Sequence, residues 1–379
     1  MNSANDNKII LAICYDFDKT LSPTDMQAQG YIQSIEYDVD TFWKKSNDLA
    51  EKNEMDQNLS YMYMMAIESR GKFVFNRNKL NEFGSQVKLF PGVETWFDRI
   101  NEYGNQLGIQ VEHYIISSGL KEMIEGTSIA NKFKKIYASS FYYDEAGVAV
   151  WPAQVVNYTD KTQYLFRIEK GVLDVNDQQV NSYFKPDKLR IPFRNIVYIG
   201  DSDTDIPCMK LVNINGGHSI GVYNSETNDK SKVFKMIDEN RIKYFVPADY
   251  SENSELEKLL KSIIARTKAN EMLENLHFKC LNEKDHDSIG KTGEEKKKEN
   301  LVNSLEESSS FARTHFVISQ LKKCTCWSQL QKEKLMKIAL SNRQVKSILT
   351  DYDVKLFFMD LIQNDDSEFA DAIRAEIEG

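Results

Sequence analysis

The stretch Ile9-Ile10-Leu11-Ala12-Ile13-Cys14-Tyr15 is apolar without a break and stops at Asp16-Phe17-Asp18-Lys19-Thr20. No other feature limits the fold so sharply. A segment apolar at odd and even positions alike suits a strand covered on both faces by helices, as in a parallel sheet. Ligands of such sheets bind beyond the carboxyl ends of the strands. The run therefore delivers two carboxylates, Asp16 and Asp18, and the Thr20 hydroxyl to the edge where open α/β sheets do chemistry. Two acids spaced i, i+2 repel each other unless a cation or a shared proton intervenes. Mg²⁺, a hard oxygen-seeking cation, suits that position.

With 379 residues the chain has room for two or three domains and a substantial core. Its formal charge of −9 argues against general nucleic-acid affinity, which needs clustered Lys and Arg. A small phosphorylated molecule remains compatible, because a local site can be positive on an acidic protein. The five cysteines (Cys14, Cys208, Cys280, Cys324, Cys326) contain no CxxC pair, and their odd number does not suggest a disulfide framework. Cys324-Thr325-Cys326 has the wrong spacing for a usual zinc knuckle. The first eight residues are polar, and the apolar run after them is too short to span a membrane and ends in acids. No membrane association is expected, and the cytoplasm is the expected location.

Residues 24 to 87 read as mostly helical, with Tyr31, Ile32, Ile35, Phe42 and Trp43 at roughly helical spacing. Placed between two core strands, they form a cap inserted over the strand end. Tyr61, Met62, Tyr63, Met64 and Met65 offer a soft lining for it, although such a stripe is more often core. A second, largely apolar run, Val111 to Ile116, ends at Ser117-Ser118-Gly119, a tight turn and a helix beginning near Leu120. Amides of a turn leading into a helix bind anions well. Lys161 falls in the first turn of a helix that Thr159 or Asp160 caps, a poor place for a cation unless an anion lies beside it. Lys132, Lys134, Lys135 and Lys170 compete for that role, and most of them read as solvated surface lysines. A third apolar run, Ile196 to Ile199, ends at Gly200-Asp201-Ser202-Asp203-Thr204-Asp205. Three acids in five residues are costly to gather without a cation; Asp203 is the one that reads as facing solvent.

These segments, Asp-Phe-Asp-Lys-Thr, Ser-Ser-Gly, Lys161 and Gly-Asp-x-x-x-Asp, resemble in order the four motifs of the haloacid-dehalogenase (HAD) superfamily of phosphohydrolases. The Ser-Ser-Gly form is similar to the phosphoserine-phosphatase-like branch. The resemblance covers residues 8 to 266 and implies a Rossmann-like α/β core with an inserted helical cap. It implies that Asp16 attacks phosphorus to form an aspartyl-phosphate. Asp18 would protonate the leaving oxygen and then activate water, while Thr20 holds the loop. It further implies Mg²⁺ held by Asp16, the Asp18 main-chain carbonyl and Asp201, with Asp205 supporting the metal shell. Ser117 and Lys161 would stabilise the phosphoryl charge, with the Ser118 and Gly119 amides beside them. One position departs from the pattern: Lys19 stands where the family often has Gly. Read one frame later, Asp18-Lys19-Thr20 resembles the cation-pumping ATPases, with Asp18 as nucleophile. The lack of an apolar span and the position of the strand end favour Asp16.

The expected architecture is therefore an α/β core over residues 1–23 and 88–280, a helical cap over 24–87, a charged linker or solvated helix over 281–310, and an all-helical module over 311–379. The resemblance does not extend to that last module, which reads as a docking or oligomerisation element for a protein partner or a second copy. The expected activity is Mg²⁺-dependent hydrolysis of a small phosphorylated metabolite. Its rivals are phosphoryl transfer to another acceptor and a HAD-fold scaffold or sensor working through its helical tail.

Overall fold

Strand β1 (Ile9–Tyr15) lies inside a sheet whose two faces are buried in different clusters. Leu11, Ile13 and Tyr15 point into one cluster, and Ala12 and Cys14 into the other. That alternation is why the run is apolar at every position. The computed structural model describes residues 9–287, 293–363 and 365–378; the polar residues 1–8 and positions 288–292 of the charged segment lie outside them. The chain divides into two units, Met1–Leu276 and His277–Gly379.

In the first unit the described strands form one seven-stranded sheet. They are β1, β2 (Ile109–Leu120), β3 (Lys135–Tyr143), β4 (Ala149–Gln154), β5 (Ile196–Gly200), β6 (His218–Tyr223) and β7 (Tyr244–Pro247), ordered β4-β3-β2-β1-β5-β6-β7. Every pairing is parallel except β3 with β4, which closes one edge as a hairpin. Because β2 and β5 flank β1 while continuing in opposite directions across the sheet, the strand order reverses at β1. The crevice beyond that point is where open α/β sheets bind ligands.

Between β1 and β2 the chain builds the helices Val39–Lys52, Gln57–Glu68 and Arg77–Gly84, each started by a side-chain cap. Asp38 accepts from the Thr41 amide, Asp56 from the Asn58 and Leu59 amides, and Asn76 from the Lys79 amide. Tyr31, Phe42, Tyr61, Met62 and Met65 join the cluster that holds Leu11 and Ile13, so this inserted segment shares the core of one sheet face. Met62, Met64 and Met65 are packed inside it and do not line the cavity beyond the end of β1, which Tyr61 alone of that stripe reaches. Helical spacing directs the side chains inward, and here inward is core. The helix Glu255–Asp287 buries Leu256, Leu260, Ile263 and Ile264 in the same cluster.

The second unit has its own core, in which Leu305, Ile318, Leu335, Phe358 and Ile373 are buried together. The segment expected as a linker or solvated helix carries the helix Gly293–Glu306, which inserts Val302 and Leu305 into that core. Two apolar residues three apart suffice to seat one face of a helix, and they are easily hidden in a charged run. Lys298 is buried as well, donating from Nζ to the Cys326 carbonyl at 3.1 Å and to that of Thr325. Among the described residues no helix is long and apolar enough to cross a membrane.

Candidate active site

The carboxyl ends of β1, β2 and β5 bring residues far apart in the chain to one place. The Asp16 amide donates to the Ile199 carbonyl at 2.9 Å, which pins the end of β1 against β5. Beyond it the loop wraps around the Phe17 carbonyl, which accepts from the amides of Thr20, Leu21 and Ser22 at 2.8–3.2 Å. Lys19 sits at φ 57°, in the left-handed region. A Cβ there costs about 1 kcal/mol, which gives a physical reason for glycine at such a position. An ion pair with Asp25 at 2.8 Å holds Lys19 in that conformation. The Tyr250 hydroxyl donates to the Thr20 carbonyl at 2.8 Å, while the buried Thr20 Oγ1 has no partner.

Asp16, Asp201 and Asp205 are all buried, and each has a carboxylate oxygen within 4.8 Å of the others. The fully buried Lys161 reaches into the group, donating from Nζ to Asp205 Oδ1 at 2.7 Å and to Asp16 Oδ1 at 3.2 Å. It is carried there by a 3-10 turn, Tyr158–Lys161, that runs into the helix Thr162–Lys170. The competing lysines are elsewhere: Lys132 pairs with Asp98, Lys134 with Glu112, Lys170 bonds the Val180 and Ser182 carbonyls, and Lys135 begins β3. Asp205 is saturated, since Oδ1 also accepts from the Tyr198 hydroxyl at 2.8 Å and Oδ2 from the Ser202 amide and hydroxyl at 3.2 and 3.0 Å. Gly200 is required by that arrangement, because a Cβ there would lie 2.6 Å from Asp205 Oδ2. Asp203 is exposed.

Asp18 is not part of the carboxylate group. It is half-buried, and its Oδ1 accepts from the Met26 amide at 2.7 Å. β2 continues through Ser117-Ser118-Gly119, where the sequence suggested a turn, and a helix starts only at Lys121. Ser117 is buried, and its Oγ accepts from the Gly119 amide at 3.1 Å, so that amide already has a partner. A Cβ on Gly119 would come within 2.4 Å of Met26 Cε and 2.9 Å of Asp18 Oδ2. The glycine is therefore what allows Asp18 to stand beside β2.

The charges follow from burial. Withdrawal from water, then repulsion from Asp205, pushes the Asp16 carboxyl up to about 6 against the opposing pull of Lys161. Asp201 is pushed up to about 8 by burial and then by Asp205 and Asp16. Burial, then Asp25 and Asp16, takes Asp18 well above the usual carboxylate range. For Lys161 burial disfavours the charge, but Asp16 and Asp205 prevail and the ammonium is held more firmly than usual.

These groups open onto a cavity of about 330 Å³. Asp16, Asp18, Ser117, Ser118, Gly119 and Asp201 line its floor; Trp43, Asn47, Gln57, Asn58 and Tyr61 come from the inserted helices. Tyr61 donates to the Ser118 carbonyl at 2.8 Å, joining the inserted segment to β2. Gln27 and Lys232 are lining residues that the sequence did not mark, Trp43 is one it marked only by its helical spacing, and Tyr198 is a further site residue it read only as strand. Three buried carboxylates of all-oxygen donor character facing one lysine fit a hard divalent cation such as Mg²⁺.

No protein-family model matches the chain. An uncharacterized protein of Borreliella burgdorferi is 29% identical over 284 residues, covering 66% of this chain and 95% of that one. Among solved structures the chain is similar to a HAD family hydrolase of Salmonella enterica serovar Typhi (15% identity, 66% of this chain and 69% of that one, TM-score 0.43). It is similar to a probable phosphoserine phosphatase of Vibrio cholerae (11% identity, 70% and 68%, TM-score 0.44). A phosphoserine phosphatase carrying a phospho-aspartyl intermediate analogue is also similar (15% identity, 67% and 99%, TM-score 0.41).

Proposed function

We propose that the protein is a HAD-type, Mg²⁺-dependent phosphomonoester hydrolase that passes the phosphoryl group through Asp16. The observation that carries this reading is Lys161, fully buried and shared between Asp16 and Asp205 at the ends of β1 and β5. A buried lysine facing a surplus of carboxylates is a costly arrangement for structure alone, and anion chemistry gives it a use.

In this reading Asp16 and Asp201, with the Asp18 main-chain carbonyl, would hold Mg²⁺, and Asp205 would support them. Bound there, the ion supplies positive charge that offsets repulsion between the carboxylates and a phosphate ester. Asp16, with its carboxyl near 6, is ionised at neutral pH and can attack phosphorus. Its oxygen forms a bond to phosphorus as the ester oxygen leaves. Asp18, whose carboxyl is pushed upward by burial and then by Asp25 and Asp16, gives its proton to that leaving oxygen. Ionised Asp18 then takes a proton from water as the water oxygen attacks phosphorus. Inorganic phosphate departs and Asp16 is restored. Lys161 and Ser117 meet the charge that spreads over the phosphoryl oxygens.

The test is phosphate release from p-nitrophenyl phosphate and small phosphomonoesters. Turnover should require Mg²⁺ and stop with a chelator. Asp16→Asn, nearly isosteric, should stay folded and lose about 10⁴-fold or more in kcat. Near-normal turnover by that variant, or full turnover in a chelated sample, would sink the assignment.

A further inference from the structure

We propose that an apolar cavity behind the helix Gln57–Glu68 binds a free fatty acid, with its chain inside and its carboxylate at Arg70. The cavity shares no lining residue with the catalytic one, so the inference is independent of the phosphatase reading.

The helix has a cavity on each side. Asn58 and Tyr61 line the catalytic one, while Leu59, Met62, Tyr63 and Ala66 line a second cavity of about 740 Å³. The wall opposite is the hairpin of β3 and β4, which contributes Phe141, Ala149, Trp151 and Pro152. That hairpin is fixed in place. The Ala149 amide donates to the Phe75 carbonyl at 2.8 Å, and the Phe75 and Phe141 rings meet edge to face with centroids 5.1 Å apart. Met62, Phe75 and Phe141 are buried, so the floor is already packed. The volume lies within the range of small-molecule sites.

The lining narrows the ligand. Apart from the exposed rings of Tyr63 and Trp151, its polar side chains are Ser69 and Arg70. The buried Ser69 Oγ donates to the Ala66 carbonyl at 3.2 Å, so no enclosed side chain is left to bond a polar ligand. A sugar, nucleotide or amino acid would give up its water there without replacement hydrogen bonds. An aliphatic chain gives up only unfavourable contact with water. Met55 and Met62, unbranched and pliable, suit a flexible chain. The rim supplies the other half of the ligand. Arg70 is the one charged residue of the lining; it is exposed, and among the described residues its guanidinium has no ion-pair or hydrogen-bond partner. A single anionic end group is matched there, and a cationic one is not. Trp151, 70% exposed, and Val74, 60% exposed, add apolar surface that a bound chain would cover.

The experiment titrates the full chain, without substrate, with octanoate, decanoate and dodecanoate below their micelle-forming concentrations, by calorimetry. One molecule should bind per chain, about tenfold tighter for each two added methylenes. Decanoate should bind about threefold tighter than decan-1-ol, the scale of one partly solvated ion pair. Arg70→Gln, at an exposed position, should remove that difference and leave the affinity for the alcohol unchanged. Ala66→Phe, which places a ring in the cavity, should weaken decanoate about tenfold or more. If Ala66→Phe does not fold, the chain-length series and Arg70→Gln decide. No binding of dodecanoate, several molecules per chain, or decyltrimethylammonium binding as tightly as decanoate overturns the inference. So does an affinity for decanoate that both folded variants leave unchanged. Retention on phosphatidylglycerol vesicles of a chain that takes up no free acid would make this face a membrane contact and overturn it as well.

Discussion

Replacing Lys161 with Met tests the electrostatic design of the site directly. Methionine is unbranched and of similar reach, so it fills the space of a fully buried side chain while removing the charge. What remains is Asp16 and Asp205, both buried, without the ammonium that lay 3.2 and 2.7 Å away. Breaking a buried ion pair by deleting one partner costs about 3–5 kcal/mol, chiefly because an uncompensated charge stays behind. Asp205 keeps its bonds from Tyr198 and Ser202, so the loss falls mainly on Asp16. The pH dependence has a definite sign. The Asp16 carboxyl already stands near 6 in the folded protein, and the variant removes the cation that pulls it down. A carboxyl raised above its unfolded value binds its proton more readily in the folded state, so stability is lost as pH rises through the folded value and regained below it. The deficit should therefore be largest above about pH 7 and smaller near pH 5. Urea denaturation in the presence of a chelator, at both pH values, reads this. Turnover with Mg²⁺ should fall about 10²–10³-fold, as when one charge-stabilising donor is removed. A variant as stable as the parent at neutral pH, or a deficit that grows on acidification, would refute the argument.

Two further outcomes are expected. His113 is buried, with Nδ1 3.0 Å from the Tyr15 hydroxyl and Nε2 3.0 Å from Asn101 Oδ1, while Trp96 donates to Tyr15. That chain suits a neutral ring, and burial pushes its pKa down to about 3. The unfolded chain takes up a proton below about 6.5 that the folded chain refuses, so stability falls as pH falls through that window, by about 2 kcal/mol between pH 7 and 5. His113→Gln should lack this part of the acid loss in urea denaturation, and an equal loss in the variant would refute it. Ending the chain at residue 280, one turn beyond the boundary after Leu276, should leave a folded protein whose Mg²⁺-dependent kcat/KM is unchanged within about twofold. Every candidate catalytic residue is retained, as is the tie of Glu271 to Arg194 and Asn195 at 2.8 and 3.1 Å. An insoluble or inactive truncated chain would place the tail in the catalytic unit.

The floor of the site was legible because a parallel sheet aligns its strand ends. Once three apolar runs each stop at an acid or a hydroxyl, sheet geometry brings Asp16, Ser117 and Asp201 together without further information. Lys161 was legible for a different reason, since a cation at a helix start conflicts with the helix dipole. Other features have no such local mark. Tyr198 reads as a strand aromatic, and its bond to Asp205 depends on which face of β5 it occupies. Val302 and Leu305 were hidden by the lysines and glutamates around them. Phe42 and Trp43 are neighbours in one helix, yet Phe42 is in the core and Trp43 lines the cavity; amphipathic spacing shows that both turn inward but not what each meets there. The limit is physical. A strand end is a property of local pattern, whereas an unpaired buried atom is defined by every group that fails to reach it. Gln27 Oε1 and Trp43 Nε1 acquire meaning only when the whole wall around them is in place. Hence the groups that strand ends gather could be read from the chain, and the unpaired atoms of the inserted segment could not.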